Sequence, residues 1–179
     1  MTIRRRQIVS GLGAVILLGG LGSFNTLAAR KPPNGSRTLK LLNLQTGERF
    51  SGAYFEHDYL PDALAELNHV LRDYINDDEH HMDHRLFDWM VSLRDRLGGG
   101  EYRVICGYRS ASTNKVLMDR KTGAVKGSLH LYGKAIDLRL SGVETAELRK
   151  FAVSDRRGGV GYYADRDFVH IDTGRVRYW

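Results

Sequence analysis

Ala135-Ile136-Asp137-Leu138-Arg139-Leu140 alternates with the period of a half-buried strand: Ile136, Leu138 and Leu140 take one face and Asp137 the other. Phe168-Val169-His170-Ile171-Asp172 repeats the pattern, with Val169 and Ile171 on one face and His170 and Asp172 opposite. Each stretch buries aliphatics on one side and lifts ionisable groups on the other. If the two strands are neighbours, Asp137 and His170 look into the same cleft. His130, held before a turn at Gly133, is close enough in sequence to complete a triangle.

Working outward, Leu39 to Leu44 and Glu48 to Phe55 read as a hairpin around Gln45-Thr46-Gly47. Leu60, Leu64, Leu67 and Leu71 recur at the spacing of one helix face, with Pro61 acceptable in the first turn. Leu86, Met90, Leu93 and Leu97 repeat that spacing before Gly98-Gly99-Gly100 ends the segment. Both stripes predict core. Tyr102 to Tyr108 is strand-like, Ser112 to Arg120 and Glu144 to Val153 are helical, and Gly158 to Tyr163 joins Phe168 to Ile171 through a turn at Ala164-Asp165-Arg166. The expectation is an α+β domain over residues 39–179, a small antiparallel sheet with flanking helices. At about 150 residues it buries roughly two-thirds of its surface.

Composition narrows the functional classes. The single cysteine, Cys106, excludes a disulfide framework and a tetrathiolate zinc site. The formal charge is +6, but the first 29 residues carry Arg4, Arg5 and Arg6 and no acid, which leaves 24 basic against 21 acidic residues. So mild an excess, without Lys/Arg clusters, argues against a nucleic-acid partner. Arg4-Arg5-Arg6, the apolar run through Leu12, Val15, Ile16, Leu17, Leu18 and Leu21, and Ala28-Ala29 follow the three-part plan of a secretory signal. Arg5-Arg6, a spacer and two aliphatic residues resemble the twin-arginine export signal. Five glycines between Gly11 and Gly22 dilute the run below a typical spanning helix. The reading is a twin-arginine-type signal peptide over residues 1–29, a linker over 30–38, a periplasmic address, and no stable membrane anchor once the signal is removed. The mature chain is expected to be a monomer.

Two imidazoles and a carboxylate around one point form a ligand set for a divalent ion, most often Zn²⁺ when an open position remains. Taken singly, each residue has an ordinary alternative: a hydrogen-bonded histidine, or a strand aspartate in a turn or salt bridge. A non-haem iron site uses the same ligand types, but its His-x-Asp spacing is absent, since six residues separate His130 from Asp137.

Ser128-Leu129-His130-Leu131-Tyr132-Gly133-Lys134-Ala135-Ile136-Asp137 matches the Ser-x-His-x-x-Gly-x-Ala-x-Asp pattern of D-Ala-D-Ala metallopeptidases, and Phe168-Val169-His170 supplies the third ligand position. With Leu42 to Glu48, Gly107-Tyr108-Arg109-Ser110, Gly158 to Tyr163 and Phe168 to Gly174, nearly the whole mature chain resembles the YcbK-like murein endopeptidases, the murein endopeptidase K family. The resemblance implies the hedgehog/DD-peptidase-like α+β fold, zinc held by His130, Asp137 and His170, and peptidoglycan stem peptides as the substrate. It further implies a carboxylate that takes the water proton three positions before the third ligand, here Asp167. Asp172 is the second candidate, equally placed to orient His170. Arg109 resembles the family's substrate arginine, and Ser128 either hydrogen-bonds in the cleft or caps the turn. Where relatives carry His-x-His, this chain has Phe168-Val169-His170, so an imidazole that assists catalysis in them is missing. The alternative function is a non-catalytic cell-wall or protein-binding module on the same fold.

Other residues read as structural. Asp77-Asp78-Glu79-His80-His81-Met82-Asp83-His84 is rich in ligand types without fixed spacing, and suits a solvated loop. His57 and His69 have no identifiable partner, and Cys106 beside Val104 and Ile105 reads as a small buried side chain. Tyr132, Tyr162, Tyr163 and Trp179 suit either a substrate groove or ordinary packing.

Overall fold

The computed structural model describes residues 35–120 and 124–179. The signal segment expected over 1–29 and residues 30–34 of the linker lie outside them. The order is β1 (Arg37–Asn43), β2 (Arg49–Phe55), α1 (Pro61–Val70), α2 (His84–Leu97), β3 (Tyr102–Cys106), α3 (Ala111–Asp119), β4 (Ala135–Leu140), α4 (Thr145–Asp155), β5 (Gly159–Tyr163), β6 (Phe168–Asp172) and β7 (Arg177–Tyr178). Short 3₁₀ turns occupy Leu129–Tyr132 and Ala164–Arg166. Among the described residues no helix is long and apolar enough to cross a membrane.

The elements form one seven-stranded sheet in the order β2-β1-β3-β4-β6-β5-β7. Neighbours are mostly antiparallel, as expected, but β1 lies parallel to β3 and β7 parallel to β5. The helical stripes behave as their spacing predicts: Leu67, Leu71, Leu86, Met90 and Leu93 are fully buried. Helices α2 and α4 pack on the sheet face that carries Ile136, Leu138, Val169 and Ile171, all of them core. Asp137 and His170 therefore stand on the opposite face, by strand alternation.

Two local devices hold the motif's turn in place. Asp83 caps α2 by accepting from the Arg85 backbone N–H, its own N–H donates to the Gly133 carbonyl, and its carboxylate takes the Thr173 hydroxyl at 2.8 Å. Gly133 closes the 3₁₀ turn with φ 62°, where a Cβ would run into the His81 carbonyl. The glycine of the motif thus answers to a left-handed turn and a close backbone approach.

Candidate metal centre

His130 sits in the 3₁₀ turn ahead of β4, Asp137 in the middle of β4 and His170 in the middle of β6, where Asp137 and His170 are cross-strand partners. The ring of His130 donates from Nδ1 to the Gly107 carbonyl at 2.7 Å, which leaves Nε2 3.3 Å from Asp137 Oδ1. His170 is anchored the other way round, with Nε2 3.0 Å from Asp172 Oδ2 and Nδ1 2.8 Å from the same Asp137 Oδ1. Each imidazole is pinned through one nitrogen and aims the other at one carboxylate oxygen. Asp137 Oδ1 is thus approached by both imidazoles, all three being donor types that hold zinc, and both rings have the outer hydrogen bond that fixes the tautomer of a ligating histidine. The residues fit a divalent ion.

The electrostatics agree. Burial penalises charge on Asp137, but His130 and His170 outweigh it and hold the carboxyl well below the usual carboxylate range. Burial pushes His130 down, yet Cys106 and Asp137 raise it well above its ordinary value, so the cluster favours positive charge. It lies in a cleft of about 750 Å³ whose lining includes Arg109, Arg139, Tyr163, Arg177 and Trp179.

Asp172 does not face that cleft as a free base. Fully buried, it takes both guanidinium nitrogens of Arg177 at 3.0 and 2.7 Å, the Gly159 and Gly174 amides, and the ring of His170. Burial would raise its carboxyl, but His170 and Arg177 hold it well below the usual range. Both of its oxygens are thus engaged, one of them by the ring of His170. Asp167, its side chain 62% exposed, receives the Thr145 hydroxyl at 2.7 Å and lies 3.6 Å from Arg139. It is not among the residues lining the cleft. Arg109 does line it, donating to Asn114 Oδ1 at 3.2 Å and Cys106 Sγ at 3.4 Å. Ser128 is buried at the cleft wall and makes no capping hydrogen bond. Phe168 stacks on Tyr163, with ring centroids 4.5 Å apart.

The family model described as peptidoglycan L,D-endopeptidase MepK matches residues 31–179. The chain belongs to the MepK family. Among relatives of that family, the peptidoglycan L,D-endopeptidase MepK of Escherichia coli strain K12 is 41% identical over 181 residues, covering 98% of this chain and 96% of the relative. The same figures hold for the protein of that name from Shigella flexneri. A probable peptidoglycan L,D-endopeptidase MepK of Haemophilus influenzae is 40% identical over 171 residues, covering 94% of this chain and 91% of the relative.

Cys106, expected as a small buried side chain, adds a donor type beside His130 and Asp137. It is half-buried at the cleft, and Cys106, His130 and Asp137 offer donor atoms within 4.8 Å of one another, the one such group among the described residues. The histidine-rich loop forms none: His69 pairs with Glu79, His80 stacks on Tyr108 and His84 packs against Tyr59. Of the aromatics, Tyr163 and Trp179 line the cleft, while Tyr132 is exposed and Tyr162 packs against the core.

Proposed function

We propose that residues 39–179 form a zinc-dependent murein endopeptidase domain, exported to the periplasm by the twin-arginine-type signal of residues 1–29 and acting as a monomer. Its substrate is a peptide cross-link of peptidoglycan, cut at an L,D bond as the names of the relatives indicate. One observation carries the reading: His130 Nε2 and His170 Nδ1 both approach Asp137 Oδ1, and all three residues line an arginine-bearing cleft.

Zinc held there supplies Lewis acidity to the scissile carbonyl and to the attacking water. His130 and His170 serve as neutral donors, each locked by its outer hydrogen bond. Asp172 and Arg177 keep the His170 ring from turning. Arg109, with its donors at the cleft wall, suits a stem-peptide carboxylate or the developing oxyanion. Proton transfer is assigned to Asp167, whose carboxylate is exposed and held only by Thr145 and Arg139, since the carboxyl of Asp172 is fully engaged.

Digestion of purified muropeptide dimers tests this reading. Monomers released by the wild type, absent with His170→Ala or after chelation and restored by zinc, are the expected result. Intact dimers from zinc-loaded wild type would favour the binding-module alternative.

A further inference from the structure

Along β3 and β4 the pairing runs Tyr102 with Leu140, Arg103 with Arg139 and Val104 with Leu138, and the register then shifts so that Cys106, rather than Ile105, lies opposite Asp137. An uninterrupted antiparallel ladder would have put Cys106 opposite Ile136, on the face that forms the core. The bulge turns the thiol to the other face. It completes a row across three adjacent strands, Cys106, Asp137 and His170, with His130 above it. Sγ lies within 4.8 Å of donor atoms of both His130 and Asp137. Sγ faces the Gly107 carbonyl at 3.7 Å as a donor, and Arg109 donates to it from 3.4 Å, so that toward arginine, which has only donors, it acts as an acceptor. A bulged strand, an acceptor sulfur and two converging ligand types make a site for a cation that favours sulfur.

We propose that Cys106 is a fourth protein donor to the metal, so that the centre binds through Cys106, His130, Asp137 and His170 and selects thiophilic divalent ions such as zinc, cadmium and cobalt over hard ones such as magnesium. The proposal rests on the metal reading above. A thiolate adds negative charge and softness to a set that otherwise has two imidazoles and one carboxylate. This chain therefore holds its ion more tightly than the three-ligand set alone would. With four protein donors, the water and the scissile carbonyl would have to enter at a fifth position, an expansion that zinc allows.

Cobalt titrated into the metal-free full chain separates the possibilities by absorption. The expected result is a strong thiolate-to-cobalt charge-transfer band in the near ultraviolet, saturating at one equivalent. In Cys106→Ser that band is lost while the weaker visible cobalt bands persist, and affinity for the ion falls on the order of tenfold or more. Visible bands in the wild type without the charge-transfer band would overturn the fourth donor and leave the three-ligand reading standing. Failure of both proteins to take up cobalt would overturn both. Cys106→Ala, with the same readout, covers the case in which the serine variant fails to fold.

Discussion

Asp172 decides which nitrogen His170 can offer. With Arg177 clamped on its carboxylate, the Asp172 oxygens fix Nε2, and only Nδ1 is left to face Asp137. Asp172→Asn keeps the size and one acceptor but loses the charge that orders both Arg177 and the imidazole. Zinc affinity measured by chelator competition should fall roughly 10- to 100-fold, and an unchanged affinity would remove Asp172 from the metal's support. Asp167→Asn should leave zinc affinity unaltered and lower kcat on muropeptide dimers about 100-fold or more. Equal loss of kcat and of bound zinc would instead make Asp167 a structural residue held by Thr145. Asp137 and His170 could be put on one face because alternation within a strand assigns a face locally, whereas His130 sits in a turn and was reached through its nearness in sequence and the motif. The partners of Asp172 and Asp167 were not, since Arg177 and Thr145 meet them through turns whose direction no spacing encodes.

At the scale of elements, Asp83 joins the start of α2, the Gly133 turn and the segment after β6. Burial pushes its carboxyl up, but Arg85 and Thr173 outweigh that and bring it down to about 2. An unfolded-chain value near 3.9 makes this a depressed group, so its stabilisation is fully present above about pH 4 and is lost as pH falls toward about 2. Asp83→Ala should cost about 2 kcal/mol near neutrality. The gap in urea midpoint from the wild type should shrink as pH drops from 5 to 2, whereas a gap independent of pH would show that the carboxylate charge plays no part. The strands and helices themselves were readable from periodicity: β4 begins and ends where its alternation does, and the leucine stripes lie where their spacing put them. The placement of Cys106 opposite Asp137 was not legible, because a bulge changes the face of every later residue and a register shift belongs to the pairing of two strands. The parallel strand β7 is only two residues long, too short for a periodic signal.

For the whole molecule, Asp137 and His170 stand on inner strands of a finished sheet, β4 and β6, each paired on both sides. The hydrophobic core of α2, α4 and the sheet does not include His130, Asp137 or His170, so chelation should leave the far-ultraviolet circular dichroism unaltered. Zinc at about 100 times its Kd should stabilise by about 2.7 kcal/mol, through binding to the native state alone. For a domain of this size that raises Tm by roughly 5–10 °C. Loss of secondary structure on chelation would contradict a preformed centre. The C-terminal segment adds an optical consequence. The chain has two tryptophans: Trp89 is 1% exposed within the helical layer, whereas Trp179 is 46% exposed, its ring 5.3 Å from that of His170 and its indole N–H on the Tyr163 hydroxyl. One indole is silent to events in the cleft and the other overlooks them. The native protein thus carries its own fluorophore, and quenching of the red-shifted emission component, absent from Trp179→Phe, would report occupancy of the cleft in real time without any label.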